Sequence, residues 1–148
     1  ISMFKNILIP TDGSELSQRA VRMALGLAKL HQARVTGVHV IPDYHLLIAY
    51  EGAFDPVTEE RIEEEAKTRA EGYLAFVRKS AEDAGVPCET ACETSDHPYD
   101  AILKTAEARG CDLIVMTSHG RKGLAAVLLG SETRKVLTHT KIPVLIVR

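Results

Sequence analysis

The chain has 148 residues, 45% apolar and 26% charged, with 18 Lys and Arg against 20 Asp and Glu for a formal net charge of −2. A chain this long buries roughly 70% of its unfolded surface around one core. The near-neutral balance gives no electrostatic case for nucleic acid, and no apolar run approaches the ~18 residues of a membrane span. A single domain over residues 3–148 is expected, with Ile1 and Ser2 a remnant ahead of a natural start at Met3. There is no secretory pattern or polybasic tail. Cys88, Cys92 and Cys111 fit no disulfide or zinc spacing. Four residues of strand separate Cys88 from Cys92 by roughly 13 Å, too far for a bond. The expectation is a cytoplasmic protein with neither membrane nor nucleic acid as partner, its cysteines small core residues.

In chain order, Phe4 to Pro10 reads as a buried strand stopped by Pro10, followed by the polar turn Thr11-Asp12-Gly13-Ser14. From Ser14 to about Gln32 the apolar stripe Leu16, Ala20, Val21, Ala24, Leu25, Ala28 predicts a helix. Arg34 to Ile41 is a second strand. Asp43 to Asp55 has no period and is expected to be a loop whose Leu46, Leu47, Ile48 and Phe54 cover a surface. Thr58 to Ala84 is the longest helix, with Asp55 or Thr58 as cap and Gly85 as stop. A weaker strand over Val86 to Glu93 follows, then a helix from Asp96-His97-Pro98 to Gly110. Asp112 to Thr117 is a fourth strand, Ser118 to Gly130 a loop in which Leu124 to Leu129 coils into a helical turn, Ser131 to about Thr140 the last helix, and Pro143 to Val147 a fifth strand. Strict alternation of strand and helix implies an α/β fold with a parallel sheet covered on both faces. With right-handed crossovers it becomes a doubly wound five-stranded sheet.

Such sheets bind ligands beyond the carboxyl ends of the strands where the winding reverses. That directs attention to the turn after strand one and to Thr117-Ser118-His119-Gly120-Arg121-Lys122-Gly123 with Gly130-Ser131 after strand four. Gly120 and Gly123 let backbone amides approach an anion. Gly130-Ser131 opens a helix whose first amides are unpaired. Taken alone, this spacing reads first as a glycine-containing loop with a serine cap; its position at the strand end is what brings in the phosphate reading. Asp12 at a strand end suits an amine or a ribose hydroxyl; the other reading is a helix cap or an Asx-turn. The chain lacks a P-loop, a dinucleotide fingerprint after strand one, a nucleophile elbow and an H-E-x-x-H pair. His39, in a strand, and His139, in a helix, read as structural, and His119 as positional within the loop.

The opening FKNILIPTDGSELSQRAVRMAL, the middle VTGVHVIPD and the close CDLIVMTSHGRKGLAAVLLGSETRKVLTHTKIPVLIVR together resemble the universal stress protein family, in its ATP-binding subgroup. The resemblance implies a Rossmann-like sheet of order 3-2-1-4-5, of the adenine-nucleotide alpha-hydrolase type. It also implies a cytoplasmic homodimer that binds ATP, ADP or AMP, with any Mg²⁺ held mainly by the phosphates. The family's G-x2-G-x9-G-[ST] motif falls on Thr117, Gly120, Gly130 and Ser131, with Thr117 in place of its first glycine. Carried over, Pro10, Thr11 and Asp12 line the nucleoside pocket, the Val40 backbone meets adenine and Met116 packs nearby. Gly120, Arg121 and Gly123 wrap ribose and phosphates, and Gly130, Ser131, Glu132 and Thr133 bind phosphate. Val144, Leu145, Ile146 and Val147 form the dimer seam. If the lost glycine served a positive φ, Thr117 carries strain; if it served close approach, the Thr117 hydroxyl is free to donate to phosphate. Three functions follow for comparison: a nucleotide-dependent regulatory dimer of the stress response, a slow ATPase or self-phosphorylating protein using Ser118, Ser131 or Thr133, and a dimeric interaction module without nucleotide.

Overall fold

The computed structural model of the chain describes residues 2–43, 56–120 and 129–148. Among the described residues nine elements alternate: β1 (Asn6–Pro10), α1 (Glu15–His31), β2 (Arg34–Ile41), α2 (Pro56–Ala84), β3 (Cys88–Thr94), α3 (Pro98–Ala108), β4 (Leu113–Thr117), α4 (Ser131–His139) and β5 (Val144–Val147). All pairings are parallel and the sheet order is β3-β2-β1-β4-β5. The expected loop over Asp43–Asp55 and the helical turn over Leu124–Leu129 fall almost wholly outside the described residues.

Alternation along the strands divides the core between the two faces. Ile7 and Ile9 of β1 and Leu113 and Val115 of β4 pack on Ala20, Val21 and Ala24 of α1 and Val77 and Ala81 of α2. Leu8, Val38, Ile114 and Met116 point the other way, onto Ile102 and Ala106 of α3 and Val136 of α4. Both faces of the central strands are therefore dry, which accounts for the unbroken apolar runs in β1 and β4.

Three expected boundaries shift for local reasons. Phe4 and Lys5 stay out of β1 because the Lys5 and Asn6 amides donate to the Asp112 carboxylate at 2.9 to 3.1 Å, a side chain taking the place of a strand. Val86 does not start β3. Its amide reaches back to the Ala81 carbonyl at 2.9 Å, closing α2 around Gly85 at φ +70°. α3 ends two residues before Gly110 by the same device, with the Cys111 amide on the Ala106 carbonyl at 2.8 Å and Gly110 at φ +63°. The cysteines also divide. Cys111 is buried, Cys88 half-buried, and Cys92 exposed, so Cys92 is not the core residue expected. All three are free thiols, and burial pushes each of them up from the usual thiol range.

Candidate functional site

β1 lies at the reversal: β2 flanks it on one side and β4 on the other. It pairs with β2 along its whole length, from Asn6↔Arg34 to Pro10↔Val38, but with β4 only at Ile7↔Leu113 and Leu8↔Ile114. Pro10 has no amide to give, and beyond Leu8 no β1–β4 pair continues. A cleft of about 220 Å³ lies at these strand ends. It brings together Pro10, Thr11 and Asp12 after β1, Val40 of β2, Met116 and Thr117 of β4, then Gly120, Glu132 and Thr133. Gly130 and Ser131 do not line it but lead into α4. Arg121 and Gly123 lie outside the described residues.

The turn after β1 is held at every residue. The Thr11 amide donates to the Val38 carbonyl at 2.9 Å. Its hydroxyl lies 2.6 Å from that of the buried Ser17 and accepts from the Gly13 amide at 3.2 Å. Asp12 makes the Asx-turn: Oδ1 accepts from the Ser14 amide at 2.9 Å. Ser14 in turn caps α1 by accepting from Ser17 at 3.2 Å. Oδ2 is turned toward Gly120, where an added Cβ would lie 3.5 Å from it. One oxygen therefore builds the turn and the other faces the opposite wall of the cleft.

On that wall, Gly130 is the N-cap of α4, extended at φ −68°, ψ 163°, with no side-chain cap bond. The cap residue is thus the glycine and not Ser131. A glycine cap has no side chain to offer the first amides of the helix, and the helix dipole favours an anion there. The Gly130 amide donates to the Ser118 carbonyl at 2.6 Å, and a Cβ on Gly130 would lie 3.2 Å from the His119 Cα. Glycine here serves close packing of loop on helix. Thr117 carries no left-handed backbone; among the described residues other than glycine only Gln32 does. The Thr117 hydroxyl donates to the His119 carbonyl at 2.8 Å, so it shapes the loop and is not held out for a phosphate. Thr133, buried, ties α4 to β4 by donating to the Thr117 carbonyl at 2.9 Å. The Glu132 carboxylate points to α3, accepting from the Tyr99 amide at 2.9 Å and pairing with Lys135 at 3.2 Å. Any contact of Glu132 with an anion in the cleft falls to its backbone.

Ser17, Val38, His39, Pro98 and Ile102 also line the cleft. The sequence places Val38 and His39 in a strand and gives neither a ligand role. Pro98 and Ile102 come from a helix whose start no motif ties to a ligand. Among the described residues no cluster of three His, Cys, Asp or Glu side chains is placed to hold a metal. None of their helices is long and apolar enough to cross a membrane.

The universal stress protein family matches residues 3–148. The chain belongs to this family. A universal stress protein of Thermus aquaticus is 36% identical over 149 residues, spanning 99% of this chain and 100% of that one. The solved structure of the hypothetical protein MJ0577, 33% identical, covers 98% of this chain and 96% of its own with a TM-score of 0.78. A universal stress protein in complex with cAMP is 25% identical, covers 99% of each chain and superposes with a TM-score of 0.71. The family membership and the 3-2-1-4-5 order expected from the sequence both hold.

Proposed function

We propose that this universal stress protein is a cytoplasmic, single-domain regulatory homodimer that binds an adenine nucleotide in the cleft between β1 and β4. The observation that carries the reading is a cleft at the winding reversal with a carboxylate oxygen on one wall and the glycine-capped start of α4 beside the other. The cAMP complex of a relative supports the class of ligand. In this reading the base lies against Val40 and Met116, the ribose near Asp12, and the phosphates run toward the amides of Ser131, Glu132 and Thr133. ATP, ADP and AMP all suit that arrangement, and a Mg²⁺ would be held mainly by phosphate oxygens and water. Binding, not turnover, is the proposed activity, and ligand occupancy stabilises the fold by linkage, ~2.7 kcal/mol at 100 times the dissociation constant.

The test is calorimetric titration with AMP and with Mg-ATP, on protein shown by absorbance to carry no nucleotide. A micromolar dissociation constant, about −8 kcal/mol, is expected. Gly130→Asp should abolish it, because the new carboxylate caps the amides that would take phosphate. A folded protein that gives no heat with either nucleotide would overturn the reading in favour of an interaction module.

A further inference from the structure

We propose that His39 is a positioning residue of the nucleotide cleft: its Nδ1–H bond to the Thr11 carbonyl, braced by Tyr73 of α2, sets the turn that presents Asp12. The proposal rests on the nucleotide reading of that cleft.

His39 Nδ1 lies 2.7 Å from the Thr11 carbonyl oxygen. A carbonyl only accepts, so this ring nitrogen carries the proton. The place of the bond matters. In the β1–β2 ladder the Thr11 amide donates to the Val38 carbonyl at 2.9 Å. The rung that would follow is the Val40 amide on the Thr11 carbonyl, since alternate residues of a parallel strand address the same neighbour. The Thr11 carbonyl is met by the His39 ring instead. The side chain stops the ladder one rung early, with the Val40 amide on the cleft side of β2 and the chain free to turn at Asp12.

The ring is held from behind. His39 and Tyr73 meet edge to face, centroids 5.1 Å apart at 75°. The Tyr73 ring also covers Gly13, where φ is +77° and a Cβ would fall 2.2 Å from two ring carbons. α2 thus reaches the Asp12 turn on two sides: over Gly13 directly, and under Thr11 through His39. A second cavity of about 210 Å³, lined in part by Asp12, His39, Val40 and Tyr73, lies against the same group. His39, Asp12 and Val40 line both cavities, so the segment that the ring braces adjoins the two.

The experiment compares His39→Asn with His39→Leu in the full chain, with AMP as the probe. The Asn amide nitrogen stands one bond from Cγ, as Nδ1 does, and keeps the donor; Leu keeps bulk and loses it. His39→Asn should bind AMP within about threefold of the parent, and His39→Leu about tenfold more weakly. Equal weakening in both variants, or none in His39→Leu, would overturn the proposal. Two readings on the unliganded protein judge it separately from nucleotide binding. Nitrogen NMR of the parent should show a proton on His39 Nδ1, and His39→Leu should move the Asp12 and Gly13 amide resonances. A bare Nδ1, or unmoved resonances, would overturn it even if AMP binds. If the parent does not bind AMP, the nucleotide reading fails, and these two readings still decide whether His39 sets the turn.

Discussion

Gly13 shows how closely one position in this site is specified. Its backbone is left-handed, at φ +77°, and the Tyr73 ring occupies the space a side chain would need. Either constraint alone disfavours any other residue; left-handed backbone costs an L-residue about 1–2 kcal/mol, and the clash adds to it. Gly13→Ala is expected to lose ~2 kcal/mol or more in urea denaturation. A midpoint like that of the parent would mean the turn relaxes without resistance. The glycine was visible in the sequence as a turn signal; the Tyr73 contact was not, because Tyr73 lies 60 positions away on α2. His39 was hidden for a related reason. A histidine in a strand is ordinarily structural, and what distinguishes this one is a carbonyl 28 positions earlier. Thr117 is the reverse case. The departure from the family motif was plain in the sequence, but only the backbone angle and the bond to His119 show that it carries no left-handed strain.

Helix termini show what one element supplies to another. α3 begins at Pro98 with His97 as N-cap and no side-chain cap bond. Glu132, in the first turn of α4, supplies the missing acceptor through the Tyr99 amide. Lys135 lies 5.7 Å over the Tyr99 ring and pairs with the same carboxylate, and His139 packs on the ring at 5.0 Å. Together they lock the two helices that flank the cleft on one face of the sheet. Glu132→Ala should cost about 1 kcal/mol, the usual worth of a helix cap, and raise amide exchange at Tyr99. Unchanged exchange at Tyr99 would show that the cap carries no weight. The type and order of the described elements were legible because apolar periodicity changes cleanly from strand to helix along the chain. The boundaries at Val86 and Gly110 were not, because closing a helix around a left-handed glycine draws in residues that look like the start of the next element. The cross-helix cap could not be read from a local pattern, since its partners are 33 residues apart.

At the scale of the whole molecule, the described sheet ends on β3 at one edge and β5 at the other, and the two differ in character. β3, with the sequence Cys-Glu-Thr-Ala-Cys-Glu-Thr, is mostly polar and exposed, whereas β5 is Val-Leu-Ile-Val with its first three residues only half-buried. An apolar edge strand invites pairing with another strand, which supports the proposed homodimer through β5. The Pro143 and Val147 carbonyls accept from Ile114 and Ser118. By alternation Val144 and Ile146 turn their amides outward. Ile146→Pro therefore removes an outward donor while leaving the β4–β5 ladder its own bonds. Sedimentation should find the parent a dimer and this variant a folded monomer; a parent that sediments as a monomer would dismiss the seam.

The central claim is the place of binding: an adenine nucleotide seated between the ends of β1 and β4 with its phosphates on α4. The most direct measurement is the amide map of the labelled protein as AMP is added. The largest shifts should fall on Thr11, Asp12, Gly13 and Val40, and on Gly130, Ser131 and Thr133. Shifts confined to the groove between β3 and α3, lined by Glu93, Asp100, Lys104 and Arg109, would contradict the account, as would a map that does not move at all.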